Sequence, residues 1–368
     1  MKLRRHVVVA MLLFPAVMFS QTAAPAAKKE ARAPAVSGGS YPVMSAAAKS
    51  RARQLFGYFE SGQSNVLYAA FSSQMKKNSS TAKMATVSKQ IGTEWGREEK
   101  MIGENFVPDM LSANTVYSRY SQFSKHKEPI FTVMVLDEQG QIAMFQFRPD
   151  PPPTGNRYTD YTDKTKLRLP FNDDWLVYQG GRTVYQNPNA YRDAERYAMT
   201  FTVLKDGRPF SGDGTKNEQF YCYGQPVLAP ADGTVVQVTN TYADNLPGRP
   251  EEVLPSGNRV LIAHGNQEFS LLTHLKQNSI KVKQGAKVKQ GDVVGECGNS
   301  GSSAAPHLEY RLQDSKGLPL PQTRPAQFVD YVADGAPVAV GEPVRGQTVH
   351  NTPATPVAAP TAPPEVKK

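Results

Sequence analysis

With 368 residues, 39% of them hydrophobic and 20% charged, the chain has material for two domains with ordinary cores, and after its N-terminus no apolar run is long enough for a membrane helix. Its formal charge of +9, about +6 once three basic residues near the N-terminus are set aside, suits contact with an anionic envelope or plain solubility. The basic residues are dispersed and show no aromatic-basic signature, which excludes a recognisable nucleic-acid module.

Lys2, Arg4 and Arg5 precede an apolar run from Val7 to Phe19 and then small residues. That is the pattern of a cleavable secretory leader, placed at residues 1–22, and it predicts a secreted or periplasmic protein with no membrane span after cleavage. No Cys follows the run to carry a lipid. Residues 23–43, rich in Ala, Pro, Ser and Gly, read as a flexible linker.

From Met44 to about Gly96 the apolar spacing is helical: Leu55, Phe56 and Phe59 recur at three and four residues, as do Val66, Leu67, Ala70 and Phe71, with Gly62 between the two runs. Strands are expected at 113–123, 130–136 and 142–147, the last two as a hairpin around Glu138-Gln139-Gly140. Helices followed by a meander predict an α+β domain over 44–150. The segment FGYFESGQSNVLYAAFSSQMKK and the closing hairpin resemble small, cone-shaped NTF2-like domains. His126, between two lysines, reads as a loop residue.

Asp150-Pro151-Pro152-Pro153-Thr154-Gly155 marks a boundary, since consecutive prolines cannot continue a sheet interior, and residues 151–166 are expected to be a linker. Residues 167–334 then read as an all-β unit, with short β-rich runs cut by Gly, Pro and Asp, densest from Tyr221 to Leu312. Both cysteines, Cys222 and Cys297, fall there. In an oxidising compartment an isolated pair is expected to form a disulfide, and two buried thiols are the alternative. Residues 335–368, dominated by Pro, Ala, Val and Thr, read as a disordered tail.

Three segments in order carry a family likeness: Gly224-Gln225-Pro226-Val227-Leu228-Ala229-Pro230-Ala231-Asp232-Gly233-Thr234-Val235, then Leu272-Thr273-His274-Leu275, then Gly298-Asn299-Ser300-Gly301-Ser302-Ser303 ending on His307-Leu308-Glu309. They resemble the LytM-type M23 peptidases, zinc endopeptidases that cut peptide cross-links in peptidoglycan, over roughly residues 170 to 315. The resemblance implies a β-sandwich or barrel-like domain with an open groove. It also implies catalytic positions at His274 and His307, which in the family orient water and stabilise the tetrahedral intermediate. The family ends its third motif on His-x-His, and in the lead-in it has Asn-x-His and Tyr-Ala-x-Asp. This chain places Asn189, Thr200 and Glu309 where the three zinc ligands belong.

An amide and a hydroxyl are poor zinc ligands, and one carboxylate does not hold zinc tightly. No cofactor is therefore expected, with zinc only if the protein is active, and the expected function is a degenerate peptidase that binds peptidoglycan or regulates a wall hydrolase. Alternatively, His274, His307 and Glu309 form a rebuilt zinc site, with Glu218 or Asp213 as a fourth ligand, in an active endopeptidase. A structural scaffold presenting the N-terminal domain is a third reading. The repeat Lys281-Val282-Lys283-Gln284-Gly285 and Lys287-Val288-Lys289-Gln290-Gly291 looks like carrier-domain hairpins, but no tight turn presents a lysine for modification. His264, after the run 260–263, reads as structural.

Overall fold

A computed structural model describes residues 42–149, 158–251, 255–317 and 321–353. The expected leader and most of the first linker lie outside these residues. Four helices come first: α1 (Ala46–Glu60), α2 (Ser64–Ala69), α3 (Ser73–Lys77) and α4 (Thr81–Glu94). Serines start three of them, since a short hydroxyl side chain can satisfy an orphan amide of the first turn. Ser45 Oγ accepts from the Ala48 amide at 3.1 Å, Ser72 Oγ from Met75 at 3.2 Å and Ser80 Oγ from Lys83 at 3.1 Å.

An antiparallel meander follows, β1 (Glu98–Pro108), β2 (Thr115–Phe123), β3 (Ile130–Leu136) and β4 (Ile142–Pro149), paired in sequence order. Leu55, Phe56 and Phe59 of α1 pack with Leu67, Phe71, Met84, Tyr117, Met134 and Phe145 in one core. The unit is α+β, as its periodicities imply. The unanticipated strand is β1, whose first residues are exposed and whose pairing with β2 shifts register twice, so no alternation marks it.

The rest is β-rich: β5 (Trp175–Gln179), β6 (Met199–Thr202), β7 (Pro226–Leu228), β8 (Gly233–Thr239), β9 (Asn258–Gly265), β10 (Glu268–Leu275), β11 (Lys287–Val288), β12 (Val293–Glu296), β13 (Leu308–Gln313), β14 (Thr323–Arg324), β15 (Phe328–Ala333), β16 (Ala336–Gly341) and β17 (Thr348–Asn351). The main sheet runs β11-β8-β9-β10-β13-β6-β5-β17-β15-β16, and β7 with β12 forms a small second sheet. Between them lie Phe171, Trp175, Phe201, Val227, Ile262, Leu272, Val294, Tyr310 and Phe328.

Three expectations are corrected. The segment from 335 is not a disordered tail throughout, because β16 pairs with β15 and β17 pairs with both β15 and β5. Its residues bury little surface by themselves, but the edge of β5 offers backbone partners, Val349 is fully buried, and the Asn351 amide donates to Leu169 O (2.9 Å) and Phe171 O (2.7 Å). Residues 354–368 lie outside the described residues. Nor do residues 158–166 form a free linker. Glu268, buried at the start of β10, accepts from Tyr161 Oη (2.7 Å), the amides of Lys164 (2.7 Å) and Thr165 (2.9 Å), and the Thr165 hydroxyl. Arg324 stacks on Tyr158 and Tyr161 beside this clamp.

Cys222 and Cys297, third, are buried free thiols and not a disulfide. Cys222 Sγ donates to Pro306 O at 3.1 Å, has Thr202 Oγ1 3.6 Å away, and lies within hydrogen-bonding reach of the Cys297 thiol.

The two units touch through apolar surface. Val107, Val116 and Val135 pack on Leu176, and Ala113 packs on Phe210, Phe220 and Ala305. Asn105 Nδ2 donates to Arg345 O at 2.9 Å across the same contact. Removing residues 335–368 should lower unfolding stability by roughly 3 kcal/mol or more, since it uncovers β5 and deletes the buried Val349. Removing only 354–368 is the comparison, and equal denaturation midpoints for the two truncations would contradict the docking of β17.

Candidate functional site

The site forms where three strands align. On β10 and β13, Thr273 lies opposite Glu309, and on β13 and β6, Glu309 lies opposite Thr200. One residue beyond Thr273, the β9–β10 register breaks between Leu272 and Leu275. His274 sits in that break with φ +62°, a left-handed conformation that costs a non-glycine residue about 1–3 kcal/mol. The bulge re-aims its side chain toward His307, and the two rings lie 4.6 Å apart between centroids at 50°.

Both imidazoles are locked by backbone carbonyls. His274 Nδ1 is 2.8 Å from Ser300 O, and His307 Nδ1 is 2.8 Å from Ala305 O. A carbonyl only accepts, so each Nδ1 carries a proton and each neutral ring keeps its lone pair on Nε2. Burial lowers both pKa values, that of His307 to about 4, with the neighbouring His274 adding to the effect on His307.

The turn 298–303 carries Ser300 O, and its Ser303 hydroxyl lies 2.9 Å from Ala305 O. Ser300 Oγ donates to Leu275 O at 2.7 Å and accepts the Asn258 amide at 2.9 Å. Asn299, fully buried, donates to Asn217 Oδ1 at 3.0 Å and accepts from Ser303 Oγ at 2.7 Å. At Gly298 a Cβ would stand 2.2 Å from the Lys276 nitrogen, so no side chain fits where this turn crosses the end of β10.

The three positions implied as zinc ligands fare differently. Glu309 and Thr200 are brought together by the β6–β13 pairing. Asn189 is half-buried in the turn before β6, its backbone N–H donating to Asn187 Oδ1 at 2.9 Å. Asn187 Nδ2 anchors the other end of that turn, donating to Glu195 O, Arg196 O and Ala198 O at 3.1–3.2 Å.

A residue absent from the sequence reading completes the site. Arg311 lies two positions beyond Glu309, on the same strand face. Its Nε donates to Glu309 Oε1 at 2.8 Å, its Nη2 reaches the same oxygen at 2.7 Å, and its Nη1 donates to Ala194 O at 3.1 Å. Glu195 Oε1 lies 3.6 Å from Nη2. Burial pushes the Glu309 carboxyl up, but Arg311 and the two histidines outweigh it and hold its pKa below the usual value. Strand alternation, together with the need for a cation beside a buried carboxylate, was the signal for Arg311.

The rebuilt metal site is not assembled. Among the described residues no group of three or more His, Cys, Asp or Glu side chains could hold a metal ion. Glu309 is committed to Arg311, Asp213 is exposed and bonded to Thr215, and Glu218 sits in the short turn Asn217–Gln219. An amide, a hydroxyl and an ion-paired carboxylate do not fit zinc. His264 is structural, its two nitrogens engaged by Asp232 O and Ser270 Oγ at 2.8 Å each.

Residues 218–320 match the sequence profile of Peptidase family M23. This segment is an M23-family domain. Over 90 residues it is 39% identical to the peptidoglycan DD-endopeptidase ShyA of Vibrio cholerae, covering 24% of this chain and 17% of that protein. Over another 90-residue alignment it is 32% identical to the cell division protein DipM of Caulobacter vibrioides, covering 24% and 13%. The chain thus spans less than a fifth of the curated relatives it matches here. Against the solved catalytic domain of lysostaphin from Staphylococcus simulans the TM-score is 0.25 at 17% identity, over 41% of this chain and 88% of that one.

The M23 domain should lose stability as pH falls from about 6.5 toward about 4. In that window the unfolded chain protonates the imidazoles of His274 and His307 while the folded chain resists, so the unfolded state binds more protons and is favoured. His307→Gln is expected to flatten the fall in denaturation midpoint over this range, and an unchanged slope would contradict the burial of a neutral ring.

Proposed function

We propose that this chain is a secreted or periplasmic cell-wall protein whose M23 domain binds peptidoglycan, or engages a wall hydrolase, without cutting cross-links. The observation that carries the reading is the state of Glu309. It is the one charged donor among the three positions where the family's zinc ligands belong, and Arg311 neutralises it at 2.7 Å. With Asn189 and Thr200 at the other two positions, the site lacks the set of strong donors that lowers the pKa of a metal-bound water.

The wall as target is supported by the family match and by relatives named as peptidoglycan endopeptidases. The site's framework is also kept: the bulge at His274, the carbonyl locks on both imidazoles and the turn 298–303. A fold retained around a site with Asn189, Thr200 and an ion-paired Glu309 at the ligand positions suits recognition better than hydrolysis. No helix among the described residues is long and apolar enough to cross a membrane. The N-terminal helices and meander, which we assign to the NTF2-like class, pack on the M23 domain near Ala305, beside His307, and so stand where a bound partner would be felt.

Purified protein should cosediment with wall sacculi and release no soluble peptide fragments, with or without added zinc. Chelator-sensitive release of fragments would overturn the non-cutting reading. Absence of cosedimentation with sacculi, together with no capture of a wall hydrolase, would instead favour a scaffold for the N-terminal unit.

A further inference from the structure

We propose that the Arg311 guanidinium is the permanent cation of this site, occupying among three protein oxygens the electrostatic place that a metal ion would otherwise take. This extends the non-cutting reading to its physical cause. Its test reads metal response and stability, not wall binding, so either idea can fail without the other.

The geometry is that of a ligated cation. Glu309 Oε1, Ala194 O and Glu195 Oε1 lie at 2.7, 3.1 and 3.6 Å from guanidinium nitrogens, and they come from β13 and from the turn before β6. Those two segments also hold Glu309 and Asn189, and Thr200 follows on β6, paired with Glu309. Both side chains are held in place: they are only 17% and 12% exposed, and Thr273 Oγ1 donates at 3.3 Å to the same Glu309 Oε1 that Arg311 grips. A buried carboxylate in such a place requires a partner charge. An arginine on the same strand face supplies it with a planar fork that stays protonated and needs no second molecule.

A divalent ion seated on Glu309 Oε1, Ala194 O and Glu195 Oε1 would stand against the guanidinium, and like charges at such spacing repel strongly in a partly dry site. The arrangement therefore keeps the carboxylate ionised, holds the turn Ala194–Glu195 against β13, and closes the site to metal. Arg311 is a positioning residue here, since it acts through Glu309.

The experiment compares thermal unfolding of four full-length proteins, wild type, Arg311→Met, Glu309→Gln and the double variant, each with and without a few equivalents of zinc. Arg311→Met should lower the midpoint by about 5 °C or more by stranding a buried carboxylate, and the double variant should recover much of that loss. Zinc should raise the midpoint of Arg311→Met, leave wild type unmoved, and do nothing for the double variant. A salt bridge that merely braced the fold would show the coupling but not this zinc response. Should Arg311→Met fold only when zinc is present, the proposal is supported. It is overturned if wild type itself takes up zinc, if a folded Arg311→Met gives no zinc response, or if zinc fails to rescue an unfolded Arg311→Met while the double variant folds.

Discussion

The ion pair between Glu309 and Arg311 is the interaction around which the site's chemistry turns. A carboxylate inside a β-sheet, flanked by two imidazoles and a threonine, loses most of its hydration and survives as an anion only if a cation is fixed beside it. Arg311 does this from the same strand at 2.7 Å, and it reaches across to the turn before β6 through Ala194 O and Glu195. The pair therefore joins β13 to the segment that carries Asn189, and it settles the charge of the site without any outside group.

Around the pair, the framework is held by contacts of a different kind. His274 is held in a strained left-handed conformation, and strain of that kind persists only where the surroundings over-determine it. Those surroundings are visible: Ser300 ties the turn to Leu275 and Asn258, Asn299 ties it to Asn217, and Gly298 leaves room for the crossing. Each contact is with backbone or with another buried polar group, so altering the site means disturbing the sheet. Glu309 and Thr200 sit in this framework as paired strand residues of β13 and β6.

Much of this was legible in the chain, because turn chemistry is local. The Gly, Asn and Ser residues at 298–303, the Pro and Asp-Gly of 226–233, and the alternation of strands 130–136 and 142–147 show their purpose in the sequence itself. What was not legible depended on distant partners. The strand β16 is apolar but largely exposed and contains a proline, and β17 is only four residues long; they form because β15 and the edge of β5 offer backbone partners. Glu268 looks like an ordinary charged strand residue until Tyr161, Lys164 and Thr165 are seen to converge on it. Arg311 belongs to no motif of its own, although a period-two strand puts it on one face with Glu309. For the cysteines the sequence allowed a disulfide or two buried thiols, and Cys222 and Cys297 stand as buried thiols within hydrogen-bonding reach of each other, with Cys222 donating to Pro306 O.

The most direct test of a site whose cation is built in is anomalous diffraction at the zinc edge from crystals of the wild-type protein grown with excess zinc. The account predicts no zinc peak between Glu309, Thr200 and Asn189, with guanidinium density of Arg311 against Glu309. A well-occupied peak there, bonded to three protein nitrogen or oxygen atoms with Arg311 swung away, would contradict it.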